Sequence, residues 1–281
     1  MSPAHTHAII TDVLTIAAMA LGLAVVIYSV VRVRTGLNWS GDGNVLARPY
    51  NAVDGLVALL IMSVFGWLVM AAPSGSTPKP ENMNVYAFGL FIGALFPVVL
   101  CLILFAYMKM LRRMDPKEMF GIRSVPVTRA FKLGFVWYLG ALLFMAVTTF
   151  LVYTFLLDGK MPDDSKQELV RLFHESDNIF LRGVIMLAAM VLAPITEEVL
   201  FRGFFYGVTK RYTERWFAIL FTSMMFAAVH NHVGSLLPLF LLGIGFAVAY
   251  EATGSLLVPI FMHLFFNTMG IVQLWLLKAP Q

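Results

Sequence analysis

Charge is what this chain has least of. Of its 281 residues only 13% are Asp, Glu, Lys or Arg, against about a quarter in soluble globular domains. With 59% hydrophobic residues, that shortage excludes a water-soluble domain and points to an all-α, polytopic membrane protein. Alternating polar and apolar strand patterning is also missing, which removes a membrane β-barrel. Cys101 is the single cysteine, so no intrachain disulfide forms, and in its apolar run it reads as a small core residue. There is no tandem repeat and no low-complexity tract. The first seven residues carry no Lys or Arg, and the apolar run that follows is long enough to span, so a cleaved signal peptide is not expected. The net charge of +4 is modest; it reflects topology, and no nucleic-acid partner is expected.

What is present is a series of long apolar runs. Spanning takes about twenty apolar residues, and eight stretches read as helices: 9–31, 53–72, 86–108, 133–157, 179–208, 216–230, 236–250 and 256–276. The fifth is overlong and contains Pro194, which predicts a kink or a part outside the bilayer. Lys and Arg concentrate in alternate connections. The first carries Arg32, Arg34 and Arg48, the third runs from Lys109 to Lys132, and the fifth carries Lys210, Arg211 and Arg215. The second has only Lys79, and the fourth has more acids than bases. If every stretch spans, the basic connections share one side. That predicts a cytoplasmic face for them and both termini outside, and the compact organisation fits the inner membrane of a prokaryotic cell. In the fourth connection Ser165-Lys166-Gln167-Glu168 is a capping box, opening a short helix expected on the outer membrane surface. The long third connection divides the chain into an accessory region, 1–130, and a core, 131–275, with the catalytic part in the last four or five helices.

That core holds the charges that apolar runs seldom tolerate. Glu197, Glu198 and Arg202 lie together inside 179–208, where each costs roughly 2.5–3.5 kcal/mol unless it faces protein or a wet cavity. Glu198 and Arg202 are i, i+4 in the favourable order for an ion pair. Glu197 points about 100° away and has no local partner. His230 closes the sixth stretch, and His263 and Asn267 are i, i+4 in the eighth. A lone membrane histidine is often a helix–helix hydrogen bond, but these groups together indicate a functional site. Glu197 and His230 are suited to activating a water, and His263 and Asn267 to stabilising an oxyanion. No Ser-His or Cys-His nucleophile suggests itself, and the His-Glu-x-x-His zinc helix is absent. No cofactor is expected, although ligands from separate helices leave zinc open. His230 poses a difficulty, because a simple span would put it at the far end from Glu197. Either the sixth helix starts deeper, or residues 230–234 turn back inside the bilayer. His232 reads as a helix-end residue. Gly89-x-x-x-Gly93 and Gly203-x-x-x-Gly207 predict close internal packing.

The motifs Glu197-Glu198-x-x-x-Arg202, Phe226-x-x-x-His230 and His263-x-x-x-Asn267, in that order, resemble those of the CPBP family, the type II CAAX prenyl endopeptidases and bacteriocin-processing or self-immunity (Abi) proteins. The approach to the third motif, Tyr250 to Pro259, is also similar. The resemblance covers about 131–269 and implies an all-helical, glutamate-type intramembrane endopeptidase. In it Glu197 and His230 activate water, His263 and Asn267 form the oxyanion hole, and Glu198 and Arg202 support them. The implied partners are membrane lipids and a peptide or membrane-protein substrate, entering laterally or from the cytoplasm. A non-proteolytic scaffold or self-immunity protein on the same fold is the alternative. A proton-coupled carrier is a third reading, against which stands the lack of an inverted repeat.

Overall fold

The computed structural model describes residues 43–71, 83–155 and 179–277. The expected first helix, 9–31, and the short helix opening at Ser165 lie outside them. Every regular element among the described residues is helical. The other seven apolar stretches are observed as α1 (Ala52–Ala71), α2 (Met83–Ala106), α4 (Val127–Phe155), α5, α6 (Arg215–Ala228), α7 (Val233–Thr253) and α8 (Leu257–Leu277). Unforeseen was the four-residue α3 (Pro116–Met119) in the basic third connection, capped by Asp115, whose side chain accepts from the Lys117 N–H. Among the described residues three helices, Val127–Val152, Arg182–Tyr212 and Gly234–Thr253, are long and apolar enough to cross a membrane, and four other apolar helices are shorter.

The overlong fifth stretch is one continuous but irregular rod, α5. It passes through α-helix Ile179–Leu187, a π turn Ala188–Leu192, α-helix Ala193–Glu198, a π segment Val199–Tyr206 and α-helix Gly207–Tyr212. Pro194 sits at the start of the middle α stretch, so the wider π turn before it absorbs the missing N–H. The other helices are arranged around this rod. α2 and α8 pack against Ala193–Glu198, α6 and α7 against Val199–Tyr206, and α1 against Gly207–Tyr212. Outside these, α4 packs against both α7 and α8.

Small residues set the close crossings, as expected where lipid supplies no hydrophobic drive between helices. A Cβ on Gly134 would lie 2.6 Å from the Phe261 Cβ, and one on Gly245 2.8 Å from the Ala141 Cβ. Phe131 and Phe135 of α4 then meet Phe265 of α8 edge to face at 5.1 and 5.3 Å. Of the two expected Gly-x-x-x-Gly contacts, Gly203 and Gly207 pack internally, but against the rings of Phe120 and Tyr50 and not against another helix. Gly93 meets nothing within 4 Å, so among the described residues no helix approaches closely there.

One end of the bundle is interlocked by polar contacts. Lys210 Nζ donates to both carboxylate oxygens of Glu251 at 3.0 Å and to the Val45 carbonyl, and the Tyr206 hydroxyl donates to Glu251 at 2.6 Å. Asp54 receives Arg112 through two nitrogens, at 2.9 and 3.1 Å, and the Tyr107 hydroxyl at 2.8 Å. The Leu256 N–H donates to the Phe120 carbonyl, and Ser124 Oγ to that of Gly254. Gly254 ends α7 at φ +64°, a left-handed position suited to glycine. Segments 43–54, 107–124, 206–215 and 251–256 therefore meet at the same end. They include Arg48, the third connection up to Arg123, and the fifth connection.

Candidate active site

The site forms where α5, α6, α7 and α8 meet. On α5 the two carboxylates diverge as their helical spacing requires. Glu198 is fully buried and Glu197 keeps 25% of its side chain exposed. Glu198 Oε1 accepts from Arg202 Nη1 at 2.9 Å and from His263 Nδ1 at 3.0 Å. Arg202 is itself fully buried. Its second terminal nitrogen donates to the Gly243 carbonyl at 3.1 Å. Its guanidinium lies between the rings of Phe226 and Phe246, 4.4 and 5.1 Å from their centroids. Weakly hydrated and planar, a guanidinium suits such a slot better than an ammonium. A Cβ on Gly243 would stand 3.2 Å from Arg202 Nη2 and 3.0 Å from the Ser223 Cβ, so only glycine lets the carbonyl come this near.

His230 reaches the site because α6 is short. From Glu197 to Tyr212, α5 runs about 22 Å toward the interlocked end at 1.5 Å per residue. The 14 residues of α6 bring the chain back about 21 Å, short of the roughly 30 Å hydrocarbon layer. The chain then turns at once. The N–H groups of His230 and Asn231 donate to the carbonyls of Ala227 and Ala228, Asn231 takes φ +48°, and α7 begins. Of the two ways to bring His230 to Glu197, the observed one is the early turn. His232 is a helix-end residue as expected: its Nδ1 caps α7 by accepting from the Ser235 N–H at 3.1 Å.

The two site histidines are oriented alike. His230 Nδ1 lies 2.7 Å from the Phe226 carbonyl, which can only accept, so the proton is on Nδ1 and the Nε2 lone pair is free. His263 Nδ1 is likewise committed, to the Glu198 carboxylate. Both Nε2 atoms stand 3.9 Å from the same oxygen, Glu197 Oε2. That is too long for a direct hydrogen bond and suits one small molecule making contacts of about 2.8 Å. Among the described residues no three His, Cys, Asp or Glu side chains are grouped as a metal site.

Asn267 reaches α5 at a different point, the Ala189 carbonyl. Ala193 N–H bonds to the Ala188 carbonyl in π fashion. The next donor in that register would be residue 194, a proline without an N–H. Asn267 Nδ2 supplies the missing donor to the Ala189 carbonyl at 2.7 Å, leaving its second amide N–H for another acceptor. Two further α5 carbonyls, at Thr196 and Gly203, receive Cys101 Sγ at 3.5 Å and the Tyr50 hydroxyl at 3.1 Å. Five of the six expected residues, Glu197, Glu198, Arg202, His230 and His263, are thus linked by contacts of 3.9 Å or less, and the sixth, Asn267, lies one turn beyond His263 with its amide on the Ala189 carbonyl. Sequence reasoning missed Phe246, Gly243 and Tyr50. The first two lie in an apolar run with no charge to mark them; the glycines at 243 and 245 were the one available hint.

Comparison with known proteins gives a consistent result. Residues 180–269 match the family model described as "Type II CAAX prenyl endopeptidase Rce1-like". The chain is 28% identical over 223 residues to "Putative membrane peptidase YdiL" of Bacillus subtilis (strain 168), covering 78% of this chain and 82% of that protein. It is 33% identical over 159 residues to "Uncharacterized 24.3 kDa protein" of Escherichia coli, covering 54% of this chain and 70% of that protein. No solved structure matches.

Proposed function

The chain belongs to the Rce1-like family of type II CAAX prenyl endopeptidases, and from that premise we propose that it hydrolyses a peptide bond of a membrane-associated substrate without a covalent intermediate. The observation that carries this reading is the position of Glu197 Oε2, 3.9 Å from two imidazole nitrogens whose other nitrogens are already engaged.

A water between Glu197 and His230 donates one hydrogen to the carboxylate and one to the Nε2 lone pair. As its oxygen attacks the scissile carbonyl, Glu197 takes its proton and later delivers it to the departing amine, so the carboxylate is regenerated. The oxyanion is held by His263 and Asn267. His263 presents Nε2–H to the oxyanion while its Nδ1 stays on the Glu198 carboxylate, which fixes the ring. Asn267 contributes the amide N–H that Ala189 does not use. Glu198 and Arg202 never meet the substrate; they fix the ring of His263. In this reading the protein sits in the inner membrane of a prokaryotic cell, with its basic connections in the cytoplasm.

The test compares membrane-bound peptides in cells carrying wild-type protein or Glu197→Gln, a near-isosteric loss of the base. Cleavage products present in wild type should fall by about 10²–10⁴-fold in the variant, the range for a lost general base. His230→Ala should give the same peptide pattern. Identical peptide sets from wild type and Glu197→Gln would overturn the proposal.

A further inference from the structure

Burial changes at one level on all four helices that build the site. On α5 every residue from Glu198 to Val208 is buried, whereas Met186, Leu187, Val191 and Ile195 are exposed. On α6 the inward face, Ala218, Ile219, Thr222, Ser223, Phe226 and Ala227, is buried while Trp216 and Leu220 are exposed on the outward face, and the residues from Ala228 to His230 are half-buried. On α7 the half-buried stretch precedes Leu239, and on α8 burial ends with His263, with Met269 and Gly270 exposed. In each case the buried side leads toward the interlocked end. There Tyr50, Phe120, Tyr206, Lys210 and Tyr250 are at most 1% exposed and fill the route between the site and the basic connections. The opposite side carries the exposed parts of Glu197 and His230, 25% and 24%, and the exposed turn residue Asn231.

We propose that the substrate reaches Glu197 from the face opposite the basic connections. Since Lys- and Arg-rich connections stay in the cytoplasm, that face is the non-cytoplasmic one. The scissile bond then belongs to a segment of an exported or membrane-spanning polypeptide lying in the outer half of the bilayer, not to a cytoplasmic tail. A peptide arriving from the cytoplasm would have to part the buried Lys210–Glu251 pair and the aromatic side chains around it. Breaking such a pair is costly, whereas the outer side asks for no rearrangement of the described residues. This inference rests on the proteolytic reading for its substrate, but its geometry does not.

Thiol accessibility tests it without turnover. In a Cys101→Ala background, single cysteines are introduced as His230→Cys at the site, Asn231→Cys in the turn and Arg123→Cys at the basic end. Each is reacted with a membrane-impermeant maleimide in right-side-out and in inverted membrane vesicles, with total thiol counted after denaturation. His230→Cys and Asn231→Cys should react at least tenfold faster in right-side-out vesicles, and Arg123→Cys at least tenfold faster in inverted ones. Site cysteines that react only in inverted vesicles, or in neither preparation, would overturn the proposal. So would Arg123→Cys reacting from outside. If His230→Cys does not accumulate, Asn231→Cys alone decides. A loss of cleavage on Glu197→Gln leaves these rates unaffected, so the two proposals fail separately.

Discussion

At the scale of the residue, the site divides its two carboxylates between different tasks by burial alone. Glu198, with no exposure, holds Arg202 and His263 through Oε1, while its Oε2 has no hydrogen-bond partner among the described residues, and it acts as an anchor. Glu197, one position earlier, stays part-exposed and stands 3.9 Å from both Nε2 atoms. Removing the anchor's partner should therefore unfold before it inactivates. Arg202→Met leaves a buried carboxylate uncompensated and is expected to cost about 3–5 kcal/mol, read as a lowered midpoint of thermal unfolding in detergent. Arg202→Lys keeps a charge but loses the second donor to Gly243 and the planar fit between Phe226 and Phe246, so its midpoint should fall between those of the other two proteins. These residues were legible in the sequence because charge inside an apolar run is improbable without a purpose. Gly243 and Phe246 were not, since an uncharged residue in an apolar run gives no sign of which neighbour it touches.

At the scale of the element, α5 is held in an irregular shape by side chains from elsewhere. Asn267, Cys101 and Tyr50 donate to three of its carbonyls, and at Ala189 the donor stands in for the N–H that Pro194 lacks. Tyr50→Phe leaves the buried Gly203 carbonyl short of a donor and should lower stability by about 1–3 kcal/mol, measured by unfolding in detergent. Gly207→Ala drives a methyl into the Tyr50 ring and should cost a similar 1–3 kcal/mol by overpacking. Combining the two should give less than the sum, since both act through one ring. The helix itself, its length and its proline were readable from hydropathy. Its π turns were not, because they depend on which donors other elements bring to its carbonyls.

At the scale of the whole molecule, the basic end is a clasp of buried polar groups, whereas at the other end the described residues are half-buried or exposed. Lys210 and Glu251 are 1% and 6% exposed, so their attraction is little screened and should be insensitive to salt. Glu251→Gln is expected to lower the unfolding midpoint by an amount equivalent to about 3–5 kcal/mol. A Lys210→Met, Glu251→Leu double variant should recover much of that loss, because it leaves no charge unpaired. A loss in the double variant equal to the sum of the singles would mean that the pair is not the source of the effect.

The sequence by itself determined the membrane class, seven of the described helices and the cast of polar residues. Hydropathy and charge act locally, and a buried carboxylate announces itself wherever it stands. The tertiary structure alone decided how these residues meet. The early turn after α6 brings His230 back to Glu197, Asn267 takes a carbonyl that Pro194 leaves free, and aromatic packing closes one side of the site. Those outcomes depend on the relative lengths of antiparallel helices and on contacts between residues far apart in the chain, which no local pattern records.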